Sequence, residues 1–212
     1  MIKKDLYSQN KERKKMKINI PPDLSNKELK SFNEIVKPQL EELYSYNYSQ
    51  IEFKNSKIFI SKHTFPDGTK RPDTEEIKNI LSKMPDKDLK FVSDIYFVSY
   101  HCKDDNHKEI KGRTLPIIYK IIVYPKAKDR LKIILTHEIG HVVFEKGLSN
   151  ELKLRFASEM VKSFLQIIFW SQEERDKFIR EEFVNCYDNF INNQVRLKQF
   201  PILYAFFKKY IF

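Results

Sequence analysis

The stretch His137-Glu138-Ile139-Gly140-His141 decides how the rest of this sequence is interpreted. On an α-helix, residues four apart lie on one face, so His137 and His141 can point at the same metal ion. Imidazole nitrogens suit Zn²⁺, with Zn–N distances of about 2.0–2.1 Å. Glu138 can reach a metal-bound water without being a ligand, which is the position of a general base that later acts as an acid. The pattern therefore predicts a catalytic zinc site on a helix.

The residues around this motif predict that the helix is buried. The run from Leu131 to Lys146 contains no proline, and Gly147 stands where a helix often ends. Apolar residues lie on almost every side of the predicted helix, namely Ile133, Ile134, Leu135, Ile139, Val142, Val143 and Phe144. Such a helix is typical of a protein interior. Two histidines and a glutamate are costly to bury there unless they are paired or bind a metal.

The composition limits the class of protein. A chain of 212 residues suffices for one domain with a proper core. Its two cysteines do not make a disulfide framework, and no apolar run approaches the roughly 18 residues of a membrane span. Met1 to Asn19 is charged and lacks the apolar centre of a secretory signal, so we expect a cytoplasmic protein. The net charge of +10 favours acidic partners such as nucleic acid, although a solvated lysine-rich surface explains it equally well.

The order of patterns along the chain predicts an α+β fold. We interpret residues 1–16 as a basic flexible arm and residues 17–212 as a single catalytic domain. Within that domain, residues 17–146 are expected to form an α/β lobe that includes the His137 helix and a mixed sheet. Residues 147–212 are expected to form an all-helical lobe on the opposite side of a cleft.

Short runs rich in β-branched and aromatic residues predict the strands. The runs at 51–53 and 58–60 predict a hairpin, and the segment Phe91–Tyr100 predicts a further strand. Ile117–Tyr124 has the same composition and is followed by a proline, so we expect a strand there too. The polar segment His101–Arg113 is interpreted as a loop.

Capping signals and apolar periodicity predict the helices. Ser25 with Glu28, and Ser171 with Glu174, form capping boxes in which a hydroxyl and a carboxylate bond each other's backbone N–H groups. Between these signals, Asn150–Trp170 has apolar residues at helical spacing. The region after the His137 helix is therefore expected to be helical.

The third ligand of the predicted zinc site is not fixed by spacing. A catalytic zinc usually has three protein ligands and an open position. No histidine follows His141, so a downstream third histidine is excluded. The ligand must then be Cys186, an upstream histidine or a carboxylate. The downstream glutamates are Glu145, Glu151, Glu159, Glu181 and Glu182.

The segment Arg180-Glu181-Glu182-Phe183-Val184-Asn185-Cys186-Tyr187 is similar to the second zinc helix of glutamate-type zincins. It resembles the family of the Pro-Pro endopeptidases and the lethal factor catalytic domain. In that family a bulky apolar residue follows the glutamate ligand, and Glu182 departs from this pattern. The ending Pro201–Phe207 is similar to the final helix of that family. The part Val184–Tyr187 also resembles compact metallopeptidases of mobile elements that cleave phage-type repressors. Both resemblances cover only about the last 80 residues of the chain.

The resemblance implies a two-lobed zincin fold with one zinc per chain, bound by His137, His141 and Glu181. In the lethal-factor-like enzymes a tyrosine that supports the oxyanion stands seven residues before the glutamate ligand, and here that position is Glu174. The oxyanion-stabilising residue is therefore left open among Tyr187, Tyr204, Arg180 and His101.

Glu181 is preferred over Glu182 as the ligand, although helical phase alone does not separate them. Glu181 shares a helix face with Asn185 and then Asp188, and we expect Asn185 to be the outer hydrogen-bond partner of the metal ligand. The family pattern also places its ligand at residue 181. Glu159 is a weaker competitor for the third position.

Taken together, the motif predicts a zinc-dependent endopeptidase that acts on protein or peptide substrates. The strand at Ile117–Tyr124 is the expected edge for pairing with an extended substrate. The alternative is a nucleic-acid-associated zinc protein, or a protease acting on DNA-bound proteins such as a repressor, which the net charge and the basic residues at 3–17 favour. A third hypothesis is a non-catalytic zincin-like scaffold or a toxin immunity factor.

Overall fold

The structure is a computed structural model that describes the chain in five parts, residues 18–66, 69–103, 107–125, 130–164 and 170–212. The chain divides into two compact units, Met1–Asn47 and Tyr48–Phe212. The predicted basic arm at residues 1–16 lies outside the described residues. The fold is mixed α+β, as predicted, with a five-stranded sheet towards the N-terminus and a helical C-terminal region.

The described part of the smaller unit is helical. Helix α1 (Asn26–Ser31) begins at the predicted capping box, in which Ser25 and Glu28 bond each other's backbone N–H groups. A π-helical turn (Phe32–Val36) carries the chain into α2 (Lys37–Tyr44). The capping signal is therefore confirmed at this helix start.

The larger unit contains a mixed sheet of five strands and a separate sheet of two. Its strands in chain order are β1 (Tyr48–Phe53), β2 (Ser56–Ser61), β3 (Asp94–Phe97), β4 (Cys102–Lys103), β5 (Glu109–Ile110), β6 (Gly112–Thr114) and β7 (Ile121–Val123). The large sheet has the order β1-β2-β3-β7-β6, with parallel pairs in the centre and an antiparallel pair at each end. β1 and β2 form the predicted hairpin, and β4 pairs with β5.

The strand predicted at Ile117–Tyr124 is shorter than expected and does not lie at an edge. A tight turn precedes β7, with a hydrogen bond of 2.9 Å from the Tyr119 N–H to the Leu115 carbonyl. Ile117 and Tyr119 have positive φ angles of 71° and 52°, which their composition gave no reason to expect. β7 lies between β3 and β6, so the prediction that this strand is the substrate-pairing edge is wrong.

The interpretation of His101–Arg113 as a loop is also wrong, because this segment contains β4, β5 and the start of β6. Among the described strands, β6 forms the edge of the large sheet. The Tyr124 N–H donates to the Lys111 carbonyl over 3.1 Å. Hydrogen-bonded pairs alternate in an antiparallel ladder, so Gly112 and Thr114 direct their own backbone groups away from β7.

The helices of the larger unit enclose the His137 motif. In chain order they are α3 (Thr74–Leu81), α4 (Asp86–Leu89), α5 (Leu131–Val142), α6 (Asn150–Ser163), α7 (Gln172–Asn192), α8 (Gln194–Lys198) and α9 (Pro201–Phe206). A π-helical turn extends α5 to the predicted end at Gly147, and the second predicted capping box starts α7. α5 packs against β6 and β7 and also against α7. No helix of the described parts has both the length and the apolar character needed to cross a bilayer.

Candidate metal centre

Three side chains with metal-ligating atoms converge between α5 and α7. The rings of His137 and His141 have centroids 4.9 Å apart. The carboxylate of Glu181 on α7 lies between them, with Oε2 at 3.7 Å from His137 Nε2 and Oε1 at 3.8 Å from His141 Nε2. Ligand atoms bound to one tetrahedral zinc lie about 3.3 Å apart, so small side-chain rotations would close this set on an ion. No other group of three or more possible ligands occurs within the described residues.

A glycine in the motif allows α7 to lie close to α5. A β-carbon at Gly140 would lie 3.1 Å from Val184 Cγ1 and 3.4 Å from both Val184 Cα and Tyr187 Cδ1. Such distances leave almost no room for a methyl group. The close packing at Val184 brings Glu181, one helical turn earlier on α7, up to the two histidines.

The Glu138 carboxyl lies in a tight setting formed by β6. Its side chain is buried, and its Oε2 accepts a hydrogen bond of 2.9 Å from Thr114 Oγ1. A β-carbon at Gly112 would lie 2.7 Å from Glu138 Oε1, so only glycine leaves space for this carboxyl. Burial raises the pKa of Glu138 to about 7, while the Thr114 hydrogen bond opposes the rise and the charge of Glu181 adds to it. A carboxyl with a pKa near neutrality is well suited to accept and return a proton.

The two histidines are held in the neutral form that a metal requires. Burial lowers the pKa of His137, although the negative charges of Glu181 and Asp188 oppose this effect. Burial lowers the pKa of His141 to about 4, with smaller contributions from the repulsion that a proton on His137 would add and from the positive charge of Arg180. A neutral imidazole offers a free nitrogen lone pair, so neither ring has to lose a proton before it binds an ion near neutral pH.

A polar network beside His137 connects α5 to α7. The Thr136 hydroxyl contacts Asp188 Oδ1, and the Asn192 amide donates to the same oxygen over 2.6 Å. Asn192 also donates to Thr136 Oγ1 over 3.0 Å. The charge of Asp188 acts on His137, and the network holds this carboxylate against Thr136, the residue before His137.

The structure gives no support to the role predicted for Asn185. Its side chain is exposed and donates to Glu182 Oε1 over 3.1 Å, and it forms no hydrogen bond to Glu181 within the described residues. Asp188, one turn further along α7, contacts α5 instead. Sequence spacing placed both residues on the face of Glu181, but it could not show which one reaches the neighbouring helix.

The competing third ligands lie outside the convergent group. Burial, with a contribution from the charge of Glu182, raises the pKa of Cys186 to about 12, so this thiol does not readily become the thiolate that binds metals. Glu159 forms an ion pair of 3.1 Å with Lys162 on its own helix. Glu145 forms an ion pair of 3.0 Å with Arg180 Nε.

The predicted oxyanion residues occupy different environments. The Tyr187 hydroxyl is buried and donates to the buried Asp88 carboxyl over 2.9 Å, so it is already committed. Arg180 lies near the centre, because its charge acts on His141 and its Nε contacts Glu145. Of these two candidates, only Arg180 has a charged group near the proposed ligands.

The other two candidates have no contact with the proposed ligands among the described residues. Tyr204 stacks on Phe190 with ring centroids 5.7 Å apart, and Lys198 lies over its ring at 5.5 Å. His101 is exposed just before β4. The structure therefore gives no support to either residue as an oxyanion donor.

Comparisons with known proteins add no family assignment. The chain matches no protein-family model, no curated protein and no solved structure. The functional argument consequently depends on the geometry of the residues described above.

Proposed function

We propose that this protein is a zinc-dependent endopeptidase of the glutamate-type zincin class, with His137, His141 and Glu181 as the zinc ligands. One observation carries the proposal. Two neutral histidines and a carboxylate converge beside a second carboxyl, that of Glu138, which is buried and has a pKa of about 7. A purely structural role gives no reason to bury the Glu138 carboxyl where the charge of Glu181 adds to the cost of ionising it.

The donor set supports zinc as the ion. Two imidazole nitrogens and one carboxylate, with a fourth position left open, form the ligand set of several catalytic zinc sites. Bound zinc would supply a Lewis acid that polarises a peptide carbonyl and makes water more acidic.

The two carboxyl oxygens of Glu138 have different surroundings, which supports its proposed role as the proton-transferring group. Oε2 accepts the hydrogen bond from Thr114, which leaves Oε1 to take the proton of the attacking water and pass it to the departing amine nitrogen. The packing against Gly112 limits the positions that Oε1 can occupy. The chain thus holds the proton-transferring group in place before a substrate binds.

An extended peptide would bind along β6. The outward backbone groups of Gly112 and Thr114 are free of strand pairing in the described part of the chain and can form a short ladder with a substrate. The strand that would bind the peptide is also the strand that holds Glu138. Arg180 is the residue whose charge is best located to stabilise an oxyanion.

Metal analysis of the purified protein, followed by cleavage of an unbiased peptide library, tests this proposal. We expect one zinc per chain and zinc-dependent cleavage. The variant Glu138→Gln should keep its zinc and its fold but lose turnover, because the amide cannot accept the proton. Stoichiometric zinc in a His137→Ala protein, or full turnover in Glu138→Gln, would refute the assignment.

A further inference from the structure

A cavity of about 370 Å³ is lined by α7, by the C-terminal helices and by Ile133 of α5, so it touches both helices that carry the proposed ligands. Ile133, which contributes to one wall, stands one helical turn before His137 on α5. Asp188 also lines the cavity, and its negative charge acts to raise the pKa of His137, against the effect of burial. The volume is many times the roughly 15 Å³ that one water requires, so a long side chain can enter.

Part of the cavity wall is apolar and open to solvent. Ile133 and Phe200 are 52% and 41% exposed, although most large apolar side chains of this unit are buried. The buried Leu197 lies on the same wall. Exposed apolar side chains that line a recess are typical of a surface that a ligand covers.

The remaining wall carries two carboxylates, those of Glu182 and Asp188. Among the described residues, Glu182 accepts only a neutral amide hydrogen bond, from Asn185. Asp188 accepts hydrogen bonds from neutral groups of Thr136 and Asn192. Neither acid forms an ion pair with a lysine or arginine in the parts of the chain that the structure describes. Arg196 also lines the cavity, yet it lies beyond ion-pair distance of both acids.

We infer that this cavity is a substrate pocket that selects a lysine or arginine side chain next to the cleaved peptide bond. The aliphatic part of such a side chain covers Ile133 and Phe200, while its cationic end reaches Glu182 and Asp188. Lysine and arginine combine these two properties in one side chain. An acidic side chain would face two carboxylates and only one arginine, so like-charge repulsion excludes it. The inference rests on the proposed endopeptidase function, because it names the substrate class of that site.

Two matched peptides test the pocket in the zinc-loaded protein. They share one sequence from the library and differ only by lysine or methionine at the residue beside the cleaved bond, or at the central residue if no member of the library is cleaved. Methionine keeps a long apolar side chain and removes the charge. We expect the wild-type protein to have the higher kcat/KM for the lysine peptide. The lysine-to-methionine ratio should fall about five-fold in Glu182→Gln, the effect typical of losing one partly exposed charge pair.

The control variants separate this pocket from the general charge of the surface. Glu173→Gln removes a similar charge from the exposed first turn of α7, outside the cavity, and should leave the ratio unchanged. Arg196→Gln should keep or increase the preference for lysine. Equal kcat/KM values for the two peptides in the wild type, or a preference for an acidic side chain, would overturn the inference.

A binding measurement separates failure of the pocket from failure of the enzymatic proposal. The two peptides, fluorescently labelled, are titrated against Glu138→Gln protein, and Kd is read from anisotropy. Tighter binding of the lysine peptide, lost in the double variant with Glu182→Gln, supports the pocket even if no cleavage is found. Cleavage without any preference for a basic residue, together with equal Kd values, refutes the pocket and leaves the endopeptidase proposal standing.

Discussion

Gly112 and Glu138 approach each other so closely that a β-carbon on residue 112 would lie 2.7 Å from both Cγ and Oε1 of the glutamate. The contact joins the edge strand β6 to the helix α5, which bears His137 and His141, two of the three proposed ligands. A methyl group at residue 112 would have to displace the carboxyl, because a β-carbon, which forms no hydrogen bond, does not approach a carbon or oxygen atom of another residue to less than about 3 Å.

Gly112→Ala is therefore expected to lower turnover while leaving zinc in place. A misplaced general base costs about 10- to 100-fold in kcat, and the three proposed ligands do not touch residue 112. The measurement is kcat/KM on a cleaved peptide together with zinc content by mass spectrometry. Wild-type turnover in this variant would show that Glu138 does not transfer the proton.

Gly140→Ala should weaken zinc binding and stability together. The added methyl would lie 3.1 Å from Val184 Cγ1, which pushes α7 and its Glu181 away from the histidines. Overpacking of this kind costs about 1–3 kcal/mol in the free energy of unfolding. Gly147→Ala is the matched control, since its methyl would meet Val143 Cγ1 at 3.3 Å, in the π-helical turn after α5. That control should change stability without changing zinc affinity, as measured by competition with a chelator.

The two neighbouring glutamates of α7 should behave differently towards zinc. Glu181→Ala should sharply reduce zinc affinity, because its oxygens lie 3.7 Å and 3.8 Å from the histidine nitrogens. Glu182→Ala should leave the affinity almost unchanged, since its carboxylate bonds Asn185 instead. Isothermal titration of the metal-free proteins with zinc compares them directly. The opposite order would mean that Glu182 is the third ligand.

Asp188→Ala should reduce zinc affinity about 10- to 100-fold, the usual effect of removing an outer partner of a metal ligand. The reason is the loss of the network through which Thr136 and Asn192 hold α7 against α5 beside His137. Asn185→Ala is the control on the same helix face, and we expect it to have little effect. Equal losses in the two variants would restore the role first predicted for Asn185.

The stability of the metal-free protein should depend on the ionisation of Glu138. Its pKa is raised from 4.5 to about 7 in the folded state, so the ionised carboxylate destabilises the fold fully above pH 7. This cost declines as the pH falls from about 7 and disappears below about 4.5. Glu138→Gln should therefore be more stable than the wild type by about 3 kcal/mol at pH 8, and by almost nothing at pH 4.

Urea unfolding of both metal-free proteins at several pH values measures this difference directly. His141 titrates in both, with a folded pKa of about 4, so its contribution cancels in the comparison. A difference that does not change with pH would contradict the raised pKa of Glu138. Zinc should reduce the difference at pH 8, because a nearby cation stabilises the carboxylate.

The local parts of the fold could be predicted from sequence because their signals are local. The capping boxes at Ser25 and Ser171 need only residues three positions apart, and the His137 helix has an apolar surface that fixes its burial. Glu181 was predicted partly from the family resemblance and partly because polar residues share its helix face. In the structure the Glu181 carboxylate lies beside His137 and His141, which are distant from it in sequence, so no local sequence signal could report this contact.

The edge strand could not be predicted in this way. Gly112-Arg113-Thr114 is too short and too polar to show the period of a strand, and it becomes one only by pairing with Ile121–Val123. Contacts between residues distant in sequence also decide whether Asn185 reaches the neighbouring helix, which the sequence did not predict. Its helical phase was correct, but which side chain crosses from α7 to α5 depends on how closely the helices pack at Gly140.

The Thr114 hydroxyl can form a hydrogen bond in both protonation states of Glu138. Its oxygen lies 2.9 Å from Glu138 Oε2 and 3.0 Å from the backbone carbonyl of the same residue, and its single hydrogen can serve only one of them at a time. When the carboxylate is ionised, the hydroxyl donates to it. When Oε1 carries the proton, Oε2 becomes the carbonyl oxygen of a neutral acid and a weaker acceptor, and the hydroxyl can rotate to donate to the backbone carbonyl instead. Both protonation states are then satisfied by rotation about one C–O bond, with every heavy atom left where it is.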